Sequence, residues 1–205
     1  MTGKLIVFEG VDGIGKSSLS EDLARRLAES NVAAISLVFP GNDPGTLGHL
    51  VYQIHHDPAS VGVASMSALA LQTLHIAAHL DAIENRIVPA LQTGTWVILD
   101  RFWWSTWVYG MHQGIDPDYL DAIINAERKR WGAVRPSLLL ALDRSEALRT
   151  EHDHDSFSHL RVLYKKVAEQ EKDQYPIIAI ENEDFSRSAE MIWSQIRLLA
   201  LENFN

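Results

Sequence analysis

The chain has 205 residues, 46% of them hydrophobic and 22% charged, with a formal net charge of -9 and no cysteine. That is enough apolar material for one packed core and points to a single domain over residues 1–205, while the missing thiols exclude disulfides, thiolate metal sites and cysteine nucleophiles. The acidic balance argues against a nucleic-acid polymer as partner, since that binding rests on many Lys and Arg, yet a small anion can still find a locally positive pocket. Short apolar runs rich in β-branched residues alternate with longer amphipathic stretches, the pattern of an α/β fold with parallel strands joined by crossover helices. The predicted strands are Leu5–Glu9, Ala34–Phe39, Trp96–Asp100, Leu138–Leu142 and Ile177–Ile180. Between the first two, Leu19, Leu23 and Leu27 recur at a spacing of four with charged residues on the other faces, which predicts an amphipathic helix. A long helix is expected from about Ser67 to Val88, ending near Pro89, and two more over Phe157–Gln170 and Ser186–Leu201. Loops are expected at Gly41–Gly45 and Asp57–Ser60. No stretch reaches the roughly 18 apolar residues of a membrane span, and the apolar run in MTGKLIVFEG is too short for a signal peptide, so a cytoplasmic protein without a membrane partner is expected.

The most specific segment is Gly10-Val11-Asp12-Gly13-Ile14-Gly15-Lys16-Ser17, followed by Ser18. It fits G-x-x-x-x-G-K-[ST] and lies between the first strand and the first helix, the context in which that motif binds the phosphates of a nucleoside triphosphate. Glycines let backbone N–H groups converge on phosphate oxygens, the helix N-terminus adds unpaired donors, and Lys16 reaches the terminal phosphates. Ser17 offers a hydroxyl to the Mg²⁺ that accompanies ATP. A second strand ends in Asp100-Arg101, at the carboxyl edge where open α/β sheets bind ligands. There Asp100 can orient metal-bound water, and the planar fork of Arg101 suits a second phosphate.

With these residues in view, FEGVDGIGKSS, LHIAAHLDAIENRIVPALQTGTWVILDRF, WSTWVYG and LLLALD resemble, in order and approximate spacing, the thymidylate kinases, from Lys4 to about Tyr164. The resemblance implies a three-layer P-loop kinase fold on a five-stranded parallel sheet and a homodimer built on helices. It also implies Mg²⁺-dependent transfer of the ATP γ-phosphoryl group to a deoxynucleoside monophosphate, dTMP first. It assigns Asp12 to the acceptor sugar and Arg101 to the acceptor phosphate. Phe39, Phe102 and Tyr109 are expected around the acceptor, with Phe102 or Tyr109 lining the base pocket and a packing role as their alternative.

The sequence departs from that family on the acceptor side. Val38-Phe39-Pro40-Gly41-Asn42 has no arginine where the family carries one after the second strand, and His75 and His79 stand where it has a stacking phenylalanine and an arginine. These two histidines share a helical face, so a metal pair is an alternative reading, although no carboxylate at matching spacing completes a ligand set. The lid, around residues 144–156, is short and offers Arg144 and Arg149 before the acidic run from Glu151 to Asp155; within it His152 to Asp155 reads as an exposed charged loop without chemistry, with a divalent-metal site as its alternative. Arg149 is the expected transition-state arginine, and a solvated helix residue is its alternative. A kinase acting on a deoxynucleoside or another nucleotide, and a catalytically impaired nucleotide-binding protein, are the competing functions.

Overall fold

The computed structural model describes residues 3–149 and 152–201. Five strands form one parallel sheet: β1 (Leu5–Glu9), β2 (Ala34–Val38), β3 (Trp96–Asp100), β4 (Leu138–Asp143) and β5 (Ile177–Glu181), in the order β2-β3-β1-β4-β5. β1 and β3 are buried at every position, which is why their sequences run apolar without alternation. The register sets Phe8 opposite Asp100 and Glu9 opposite Ala141, so the loops after β1, β3 and β4 open on the same edge.

Helix α1 (Lys16–Glu29) follows β1 and buries Leu19, Leu23 and Leu27 against the sheet, while α8 (Phe185–Leu201) packs beside it. The other layer is built from α3 (Ala68–Ala82), α5 (Trp103–His112), α6 (Pro117–Trp131) and α7 (His154–Glu171), which pack on one another. Helix α2 (Leu47–His56), for which the sequence pattern gave no element, is capped by Thr46 and lies on α3. The loop expected at Asp57–Ser60 is instead largely a 3₁₀ turn over Pro58–Val61, because the Asp57 side chain accepts from the Ser60 amide and Pro58 suits a first helical position.

The long helix does not end near Pro89. After α3 it widens into a π segment, Ile83–Ile87, and continues as α4 (Val88–Gln92). The wider turn ahead of Pro89 accommodates a residue that has no N–H to give and whose ring crowds the preceding turn. Predicted strand ends shift by one residue: β2 stops at Val38, and β4 and β5 extend to Asp143 and Glu181. Among the described residues no helix is long and apolar enough to cross a membrane.

Candidate active site

The loop from Gly10 to Ser17 wraps the N-terminus of α1, and its conformation depends on glycine where the sequence supplies it. Gly13 and Gly15 have φ of 77° and 92°, and a Cβ on Gly15 would stand 2.6 Å from the Asn182 amide nitrogen. Gly15 is the N-cap of α1 and makes no side-chain cap, so the amides of the first turn are not taken by a local side chain. The loop is braced from behind by Asn182, whose side-chain amide donates to the Ile14 carbonyl at 2.7 Å. From above, the Leu148 amide donates to the Gly13 carbonyl at 2.7 Å. Lys16 is 6% exposed and its ammonium donates to the carbonyls of Gly10 and Val11 at 2.9 and 2.8 Å, so the cation sits inside the loop's curve. Val11 and Ile14 point into the core, while Ser17 and Ser18 face outward at the start of α1.

Asp100, at the end of β3, meets this loop. Ser17 Oγ donates to Asp100 Oδ2 at 2.8 Å, and Asp100 Oδ1 is buried with no hydrogen-bond partner. Burial pushes the Asp100 carboxyl above its ordinary pKa, opposed by the Lys16 ammonium and the Ser17 hydroxyl. A buried carboxylate with one oxygen unpartnered beside a hydroxyl fits a hard cation with water ligands. Among the described residues no cluster of three or more His, Cys, Asp or Glu is placed to hold a metal ion.

Arg101 follows directly, in the left-handed region at φ 77°, a conformation that non-glycine residues rarely keep without external support. Its guanidinium pairs with Asp12 and donates to Ser105 Oγ at 3.1 Å. The Tyr109 hydroxyl donates to Asp12 Oδ2 at 2.5 Å and accepts from the Asp12 amide at 3.3 Å. Asp12, Arg101 and Tyr109 thus form one cluster between the loop and a cleft of about 520 Å³ whose lining includes all three.

The far side of the cleft is rich in imidazole. His75 faces it with Nε2 buried and unpartnered, and burial, reinforced by repulsion from His79, His55 and His56, pushes its pKa down from 6.5 to about 3. His75 is therefore neutral at physiological pH. His79 is 2% exposed, donates its Nδ1–H to the Glu127 carboxylate at 3.0 Å, and stacks on Phe39 with centroids 4.0 Å apart. Both residues line the cleft, His79 tied to Glu127 and His75 with its Nε2 unpartnered. Phe102 does not line it. It is fully buried and packs on Trp131 at 4.7 Å and Tyr175 at 6.0 Å, because the left-handed turn at Arg101 sends the next side chain inward.

The segment expected to form a lid also differs from expectation in one residue. His152, read as part of an exposed charged loop, lines the cleft with its ring 6.0 Å from Tyr109 and Nε2 3.8 Å from Asp12. Its neighbour Asp153 caps α7, accepting from the Ser156 amide at 2.8 Å, while His154 and Asp155 are exposed. Glu151 and Thr150 lie outside the described residues. Arg149 is exposed, and its backbone runs close to Gly13, with its carbonyl 3.1 Å from where a Cβ on Gly13 would stand. Sequence reasoning missed Gln72 and Thr106, which line the cleft with buried, unpartnered oxygens. For Thr106 the signal was its place one turn into the helix after Asp100-Arg101; for Gln72, its place three residues before His75, toward the same face of the helix.

The profile of a family described as thymidylate kinase matches residues 8–192. The chain is 32% identical to the thymidylate kinase of Bradyrhizobium sp. (strain ORS 278), over 95% of this chain and 90% of that protein. It is 30% identical to the thymidylate kinase of Rhodopseudomonas palustris (strain TIE-1), over 98% and 92%. The crystal structure of thymidylate kinase from Ehrlichia chaffeensis superposes with a TM-score of 0.74 at 22% identity, covering 96% of this chain and all of that one, a likeness of fold.

Proposed function

Because the chain belongs to the thymidylate kinase family, an ATP-dependent nucleoside monophosphate kinase family, we propose that it phosphorylates dTMP to dTDP with residues of the loop and the adjoining cleft in defined roles. The observation that carries this reading is the pairing of Arg101 with Asp12, which belongs to both the donor loop and the cleft. One guanidinium and one carboxylate at that boundary can hold an acceptor phosphate and an acceptor sugar against the donor's last phosphate.

In this reading the loop amides and Lys16 hold the β and γ phosphates. An oxygen of the acceptor phosphate attacks the γ phosphorus in line, forming a new P–O bond as the bond to the β,γ-bridging oxygen breaks, with the electron pair leaving on ADP. Arg101 orients the acceptor phosphate and Asp12 the sugar, beside Tyr109. Phe39, His79 and neutral His75 shape the wall against which the base lies. Ser17 and Asp100 would hold Mg²⁺ and its waters, which neutralise charge on the donor phosphates when bound. Arg149, the lid arginine whose backbone adjoins Gly13, is assigned to the charge that develops in the transition state. The same reading carries a cytoplasmic homodimer built on helices, which sedimentation would test.

The test is ADP release with Mg-ATP against dTMP, other nucleoside monophosphates and free thymidine. Turnover with dTMP is expected. Turnover with thymidine alone, or with none of them, overturns the proposal.

A further inference from the structure

β1 ends in a carboxylate that the reaction as described does not use. Glu9 is wholly buried between the donor loop and the β3–α5 junction. Its Oε1 accepts from the amides of Phe102 and Ser105 at 2.7 and 3.0 Å, and its Oε2 from Ser105 Oγ at 2.9 Å and the Gly10 amide at 3.2 Å. Helix α5 begins at Trp103 with Phe102 as N-cap, a residue that has no side-chain acceptor, and no local side chain caps the helix. Glu9 supplies the missing cap from a different strand. Ser105 Oγ in turn accepts from the Arg101 guanidinium at 3.1 Å and lies 2.9 Å from the Tyr164 hydroxyl.

We propose that Glu9 is a positioning residue for phosphoryl transfer, pinning the strained Arg101 turn and its guanidinium at a fixed place relative to the donor loop that begins one residue later. The geometry gives it both ends of that task. Gly10 opens the loop and is held by Oε2, while the residues flanking the φ 77° turn, through Phe102 and Ser105, are held by Oε1. A non-glycine residue keeps such a backbone only where its surroundings determine it, and a buried carboxylate taking four donors is such a surrounding. The burial that raises the Glu9 pKa is opposed first by the Arg101 charge, so carboxylate and guanidinium are also coupled electrostatically.

This inference rests on the proposed function for the meaning of Arg101, and a double-mutant cycle separates the two. Glu9→Gln keeps a carbonyl for the Phe102 and Ser105 amides but removes the charge, while Ser105→Ala removes the hydroxyl that links Glu9 to Arg101 and leaves the cap in place. For Glu9→Gln the expected result is an increase of about tenfold in the KM for dTMP, with the KM for ATP held within about twofold. Ser105→Ala, which answers the question should Glu9→Gln fail to fold, is expected to show the same acceptor-side change. In an Arg101→Ala background, Glu9→Gln should change the KM for dTMP by less than about twofold. A purely structural carboxylate would instead weaken both substrates equally in both backgrounds, and that result overturns the inference, as does an unchanged KM for dTMP. A wild-type protein that releases no ADP with dTMP overturns the proposed function alone, because the same cycle read on dTMP affinity by calorimetry still decides the role of Glu9.

Discussion

Replacing His75 with Phe tests whether the imidazole acts in the cleft as a neutral ring or as a cation. His75 has its Nε2 buried without a partner, and its pKa falls from 6.5 to about 3 in the folded chain. A histidine with a depressed folded value contributes stability that is present above 6.5 and is lost as pH falls toward 3. At about 1.36 kcal/mol per tenfold change, the interval from 6.5 to about 3 is worth ~5 kcal/mol when fully expressed, and ~2 kcal/mol of it is gone by pH 5. Phe has no proton to take up, so urea-unfolding free energies measured at pH 7.5 and about 5 should fall by ~2 kcal/mol more in the wild type than in His75→Phe. At pH near 7.5 the variant should keep its KM for dTMP within about threefold, since a neutral ring replaces a neutral ring. Equal pH dependence in the two proteins, or loss of dTMP affinity at neutral pH in the variant, would refute the reasoning.

Three further outcomes follow from the same geometry. Lys16→Ala should abolish measurable Mg-ATP affinity by calorimetry and reduce kcat/KM by about 10³ or more, because in the proposed reading the ammonium held inside the loop meets the donor phosphates. Asp100→Asn should lower kcat by about 10² and raise the Mg²⁺ concentration needed for half-maximal rate. Its Tm should stay level or rise, since neutralising Asp100 removes the burial penalty that raises its pKa. Glu127→Ala should lower unfolding free energy by ~3 kcal/mol, because it strips the His79 ring and the Trp131 indole N–H of their buried acceptor; an unchanged urea midpoint would contradict this.

Much of the architecture was legible in the residues themselves. The strands declared themselves as short apolar runs, because a parallel strand buried on both faces has no reason to alternate, and the leucines of α1 repeated at helical spacing. The phosphate loop was legible for a stronger reason: its chemistry is local, and one octapeptide supplies the glycine turns, the amides, the lysine and the hydroxyl. Asp100 and Arg101 were legible once a strand was seen to end there. Phe102 was misread because adjacency in sequence to Arg101 says nothing of which way each side chain leaves a left-handed turn.

What only the tertiary structure decided are the contacts between distant segments. Glu9 stands 93 and 96 residues from the amides it caps. His152 comes from an acidic run, and only the folded chain sets its ring beside Tyr109 and Asp12. Local patterns follow from the backbone's own periodicity and can be read off the chain. Which buried oxygen meets which orphan amide depends on how strands order themselves in the sheet, and that order, β2-β3-β1-β4-β5, is a product of the whole core rather than of any one segment.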